Sequence, residues 1–144
     1  MATGIQVVFD CADPDSLARF WAAALGYQLQ SPPEGFDSWE QWLVAQGIPE
    51  DDWNSASAVV DPHGGGPRIY FQRVPEPKTV KNRVHLDLNV SSGRSAPLED
   101  RKREVDAEVQ RLEGLGATML YPHEDLGEYH VTMADPEGNE FCVQ

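Results

Sequence analysis

The chain has 144 residues, enough for one domain or for two small units sharing a core. Eleven Lys and Arg face 24 Asp and Glu, a net charge of −13, which argues against nucleic-acid phosphates or an anionic membrane as partner. No apolar run is long enough to cross a bilayer and no signal peptide is expected. Cys11 and Cys142 form no Cys-x-x-Cys motif, so the expected setting is the reducing cytoplasm.

Ile5 to Cys11 is β-branched and apolar and predicts a strand. Asp13 is placed to cap a helix with Pro14 at its first position. Leu17, Phe20, Trp21, Ala24 and Leu25 recur at spacings of three and four, and Gly26 ends the stripe. Tyr27 to Gln30 predicts a short strand. Trp39, Trp42, Leu43 and Gln46 are spaced as one short helix, broken at Pro49 to Asp52. Ser57 to Val60 and Arg68 to Val74 predict strands around a Gly/Pro turn at 61–67.

Arg83 to Val90 alternates most cleanly and predicts a full strand. Leu98 to Gly114 predicts a helix that buries Val105, Val109 and Leu112, with Glu99/Arg103 and Glu108/Arg111 pairs on its wet face. Ala117 to Tyr121, Tyr129 to Ala134 and Asn139 to Val143 predict three more strands, the last two joined by a turn at Asp135 to Gly138. The order is strand, helix and three strands, twice over. This predicts an α+β fold of two βαβββ modules, about residues 4–75 and 82–144, forming one domain. The modules would form a cupped mixed sheet with helices on its outer face.

Residues two apart in a strand share a face. Val84, Leu86, Leu88 and Val90 therefore oppose His85, Asp87 and Asn89. By the same rule Gln6, Val8, Asp10, Arg68, Tyr70, Gln72, Glu140 and Cys142 fall on polar faces. These are either the lining of a concave ligand site or ordinary solvated strand faces.

Asp13, Leu17 to Trp21 and Leu25-Gly26-Tyr27 resemble the opening of glyoxalase/bleomycin-resistance modules of the vicinal oxygen chelate superfamily. Asp135-Pro136-Glu137-Gly138-Asn139 is similar to that superfamily's closing hairpin. The stretch from Arg68 through Leu88 resembles a glyoxalase-like subgroup common in actinobacteria. The resemblance implies a cup built from paired modules. It also implies ligand-bearing positions at Gln6, Gln72, His85 and Cys142. The resemblance implies metal sets built from His and Glu, sometimes with one Gln, whereas two of these positions are neutral amides, one is His and one is Cys. A hard divalent ion needs carboxylates, and His85 with Cys142 falls short of a full zinc set. The positions are therefore expected to touch a small-molecule ligand directly, with at most a weakly held divalent metal.

His85 shares its face with Asp87 and is either a general base or a histidine that orients a ligand. Gln6, Tyr70, Gln72, Asp87 and Cys142 are the candidate substrate-binding residues. Cys142 is either a nucleophile or a small apolar residue, and no Cys11–Cys142 disulfide is expected. Arg73, Lys78, Lys81 and Arg83 either hold an anion or a partner's acidic edge, or form salt bridges joining the modules. Phe36, Trp39, Trp42 and Trp53 are a lid, a rim cap or a dimer contact. His63 and His123 are expected in solvated turns, with His130, two residues from Thr132 in its strand, a candidate second cavity donor. Gly64-Gly65-Gly66 is no phosphate loop, and no nucleophile elbow occurs.

Three functions fit these residues. One is a lyase- or isomerase-type enzyme acting on a small oxygenated metabolite. The second is a non-catalytic sequestration protein of bleomycin-resistance type. The third is a regulatory or structural subunit. A homodimer is compatible with each.

Overall fold

The computed structural model describes residues 1–144 as two compact units, Met1–Pro77 and Lys78–Gln144. The first unit runs β1 (Val7–Cys11), α1 (Pro14–Leu25), β2 (Gln28–Leu29), α2 (Trp39–Ala45), β3 (Ala56–Val60) and β4 (Ile69–Arg73). The second runs β5 (Asp87–Leu88), α3 (Leu98–Leu115), β6 (Thr118–Asp125), β7 (Glu128–Ala134) and β8 (Glu140–Val143). Each unit has its own four-stranded mixed sheet. The orders are β1-β4-β3-β2 and β5-β8-β7-β6, with the first and last strands of each module parallel and the other pairs antiparallel. The repeat read from element order is thus also a repeat of strand pairing.

Local chemistry explains α1. Asp13 accepts a hydrogen bond from the Ser16 N–H at 3.1 Å, Pro14 opens the helix, and Gly26 closes it at φ +69°. Leu17, Phe20, Trp21 and Ala24 are buried on one stripe against β3 and β4. Phe9 lies 5.2 Å from the Trp21 ring and 5.5 Å from Phe71. Full burial of each large apolar side chain contributes about 1.5–3 kcal/mol. In the second unit Val105, Val109 and Leu112 of α3 are buried against a sheet whose inner face holds Val131, Met133, Phe141 and Val143.

Several expectations are corrected. Pro49 to Asp52 does not simply break α2, because Glu50–Ser55 winds into a 3₁₀ helix. Ile5 lies outside β1 and is exposed, and Leu25 is only half-buried. The strand predicted over 83–90 is assigned only at Asp87–Leu88, and Val84 is 83% exposed. Its hydrogen bonds reach beyond those two residues. Cys142 N–H donates to Leu86 O, Gln144 N–H to Leu88 O, and Val90 N–H to Gln144 O. Upstream of Leu86 a side-chain clamp replaces the ladder. On α3, Arg103 pairs with Asp100 and Lys102 with Glu99, so the expected Glu99/Arg103 pair gives way to two i,i+3 pairs, while Arg111 meets Glu108 at 2.9 Å as expected. β6 runs on to Asp125, which puts His123 in a strand. Its ring stacks on His130 across the ladder, 4.7 Å between centroids.

The tryptophans of the insertion are tied into the first unit. Trp39 Nε1–H donates to Gln30 O at 2.8 Å, Trp53 Nε1–H to Ile48 O at 3.0 Å, and Trp39 meets Trp42 edge-on. No helix is long and apolar enough to cross a membrane.

Candidate functional site

The second unit gathers three donor side chains. His85 Nε2 lies 3.3 Å from Asp87 Oδ1, with both side chains less than half exposed. Asp87 stands directly opposite Cys142 in the parallel β5–β8 pair. One ligand atom each from His85, Asp87 and Cys142 lie within 4.8 Å of one another. Cys142 is buried, and its Sγ is 3.5 Å from the Thr132 hydroxyl on β7, the residue opposite it. The sequence alternation put Cys142 on a polar face; both its strand neighbours, Phe141 and Val143, are buried as well. Both cysteines are free thiols.

The segment before His85 is fixed by a clamp. Asn82 Oδ1 accepts from the Glu140 N–H at 2.8 Å, and Asn82 Nδ2–H donates to Glu140 O at 3.3 Å. The Asn82 N–H donates to the Glu140 carboxylate at 3.1 Å, and Lys78 pairs with that carboxylate at 3.1 Å. Burial pulls the Glu140 pKa up, but the Asn82 N–H and Lys78 outweigh it, and the group sits below its ordinary value. Glu140 is therefore a structural anchor. Of the four cations read as a cluster, Arg73 pairs with Asp52 inside the first unit and Lys78 with Glu140 inside the second.

The first unit holds the remaining candidates. Gln72 stands opposite Asp10 in the β1–β4 pair, and Tyr70 opposite Val8. Gln6 lies one residue before β1, and its Oε1 accepts from Arg68 Nη1 at 2.8 Å. Arg68 Nε–H donates to Gln30 Oε1 at 2.7 Å, and the guanidinium lies 5.3 Å from the centre of the Tyr70 ring. Arg68 was visible as a polar-face residue. Gln30 was not, because β2 is two residues long and offers too little alternation to assign a face. Beside α2, a wide-open groove is lined by Gly35, Phe36, Glu40, Gln41 and Val44.

The donors do not suit a hard divalent ion held by all four positions the resemblance implied. The Gln6 oxygen is committed to a guanidinium, which would repel a cation, and Gln72 is a neutral amide. The nitrogen, oxygen and sulfur of His85, Asp87 and Cys142 instead suit a borderline-soft cation such as zinc. Without any metal, the Asp87 carboxylate stands within ion-pair distance of His85 Nε2, the ring nitrogen nearer to it.

A family model described as a glyoxalase-like domain matches residues 6–144. Three solved structures share the architecture. A glyoxalase/bleomycin resistance protein/dioxygenase family enzyme from Burkholderia phytofirmans is 18% identical with TM-score 0.61, covering 96% of this chain and 94% of its own. A possible glyoxalase from Bacillus cereus is 17% identical with TM-score 0.61, covering 99% of each chain. A mutant fosfomycin resistance protein from Listeria monocytogenes, complexed with Mn(II) and a dihydroxypropylphosphonic acid, is 12% identical with TM-score 0.64, covering 100% and 90%. No match is found among curated proteins.

Proposed function

The chain belongs to the glyoxalase-like family, and we propose that it is a small-molecule enzyme of lyase or isomerase type with His85 as general base. The carrying observation is the His85–Asp87 contact at 3.3 Å beside the Cys142 thiol. A carboxylate beside one ring nitrogen helps to orient the ring, and a histidine so placed can serve as a general base through the other nitrogen. The matching substrate class is a small oxygenated metabolite with an acidic C–H next to a carbonyl. His85 would take that proton and return it to the same or an adjacent carbon. Asp87 and Cys142, on the same unit as His85, are proposed to pack against the substrate. No step runs through a metal. The cytoplasm is the proposed setting, supported by the free thiols.

A second reading, sequestration without turnover, is favoured by Gln6 and Gln72, which bind but cannot move protons at neutral pH. One experiment separates the two. α-Hydroxycarbonyl and 1,2-dicarbonyl compounds are incubated with the protein in D₂O, and deuterium wash-in at carbon is followed by NMR. The enzyme reading expects wash-in with wild type and none with His85→Ala. Ligands that raise the melting temperature without exchange establish the second reading instead.

A further inference from the structure

The first unit carries three cations, and two of them are neutralised: Arg19 pairs with Asp15 and Arg73 with Asp52. Arg68 is different. It is held at Nε by Gln30 and at Nη1 by Gln6, both through neutral amide oxygens, and its guanidinium lies near the Tyr70 ring. Within its unit it has no carboxylate partner, although acids there far outnumber cations. A guanidinium has five N–H donors, so two bonds leave three unused, including both hydrogens on Nη2. Holding a cation with two amides fixes its direction and lowers the entropic cost of binding to it, while its charge stays available. Arg68 and Tyr70 are both partly exposed, with the guanidinium 5.3 Å from the centre of the Tyr70 ring.

We propose that Arg68, aimed by Gln6 and Gln30, is an oxyanion receptor that takes a carboxylate or phosphate-type group, with Tyr70 against the adjoining part of the ligand. This site stands on the first unit alone and does not depend on the role of His85. The planar fork matches two oxygens of either anion. The two anion classes share that chemistry, and the probes separate them.

The test uses the full chain and the arginine Nε–Hε signals in ¹⁵N NMR, with Arg68 assigned by the signal missing from Arg68→Gln. Inorganic phosphate and acetate are titrated separately, with sodium chloride at matched ionic strength as control. The expected result is a saturable shift of the Arg68 signal with at least one of the two, and none with chloride. The same anion raises the melting temperature of wild type, and binding weakens by about tenfold or more in Arg68→Gln. Gln6→Ala with Gln30→Ala keeps the charge but removes the aim, and should weaken binding less than Arg68→Gln. Response to phosphate alone assigns a phosphate-type ligand, and to acetate alone a carboxylate. If neither anion shifts Arg68 beyond chloride, or if Arg68→Gln binds as wild type does, the proposal is overturned. His85→Ala leaves the shift unchanged, which keeps this result separate from the fate of the catalytic reading.

Discussion

Asn82 and Glu140 hydrogen-bond as if Asn82 were itself a piece of strand: its side-chain oxygen takes the Glu140 N–H at 2.8 Å, and its side-chain nitrogen serves the Glu140 carbonyl at 3.3 Å. The carboxamide replaces a ladder rung and ends pairing upstream of Leu86. It also ties the segment that bears His85 to the start of β8. Asn82→Ala should therefore destabilise the protein by about 1–3 kcal/mol, since it strips partners from two backbone groups. Amide exchange at Glu140 and Cys142 should quicken beyond the global change. Unchanged exchange at both positions would show that the clamp is not what holds this segment.

The three-donor cluster gives a spectroscopic prediction. Cobalt(II) added to reduced protein should produce a sulfur-to-metal charge-transfer band, because Cys142 would ligate as thiolate alongside His85 and Asp87. Cys142→Ser should abolish the band and Asp87→Asn weaken it. Binding should fall as pH falls, because thiol and imidazole must lose protons to ligate. A band that survives in Cys142→Ser would place the metal elsewhere.

The elements that could be read from sequence were those with a strong local signal. α1 has a cap, a proline, a stripe and a closing glycine, and all four are realised. Ile69 and Phe71 of β4 are buried while Tyr70 and Gln72 are not, as alternation required. Alternation failed at Val84 because pairing there passes to the Asn82 side chain, an event period-two reasoning cannot see. His123 was misplaced for a related reason. Pro122 suggested a turn, but β6 is an edge strand, where proline is tolerated. At the candidate site, the neighbourhood of His85 and Asp87 followed from their spacing. The Gln6–Arg68–Gln30 arrangement joins residues 62 and 38 positions apart and needed the register of four strands.

Acid should unfold the protein through carboxylates that the fold holds ionised. The Asn54 amide, with the Ser16 N–H, lowers the pKa of Asp13. The His63 N–H, with those of Gly65 and Gly66, lowers that of Asp61 despite some desolvation. A folded pKa below the unfolded value adds stability above the unfolded pKa, about 4, and loses it as pH falls through the folded one. Chemical denaturation between about pH 6 and 2 should show stability falling below about pH 4. Asn54→Ala should flatten that limb while removing one hydrogen bond at neutral pH. An acid limb unchanged in Asn54→Ala would remove Asp13 from the account.

Asp135 explains why the Asp-Pro-Glu-Gly-Asn hairpin has its composition without any catalytic role. Its buried carboxylate accepts from the N–H groups of Glu137 and Asn139 at 2.9 and 3.0 Å and from the Asn139 amide at 2.9 Å, while Gly138 turns the chain at φ +86°. Asp135→Ala leaves those donors unserved and should cost about 2–4 kcal/mol in urea unfolding. Asp135→Asn keeps one acceptor and should cost less. Equal losses would mean that volume, and not hydrogen bonding, sets the requirement.

Gly66 marks a close approach that a side chain would obstruct. A Cβ there would sit 1.8 Å from the Tyr27 hydroxyl oxygen and 2.9 Å from Cζ, so the ring must move. The Gly66 N–H also donates to Asp61 at 2.8 Å, which holds the backbone in place and directs the strain to Tyr27. Burial, with Asp61 nearby, pushes the Tyr27 hydroxyl pKa up and keeps it neutral. Gly66→Ala should destabilise by about 1–3 kcal/mol. Tyr27→Phe deletes the nearest atom but leaves Cζ, so it should rescue Gly66→Ala only in part. Tyr27→Ala removes both atoms, and a double-mutant cycle with Gly66→Ala should return a coupling energy of about 0.5–3 kcal/mol. Additive losses in that cycle would show that Gly66 is required for its backbone and not for the space it leaves.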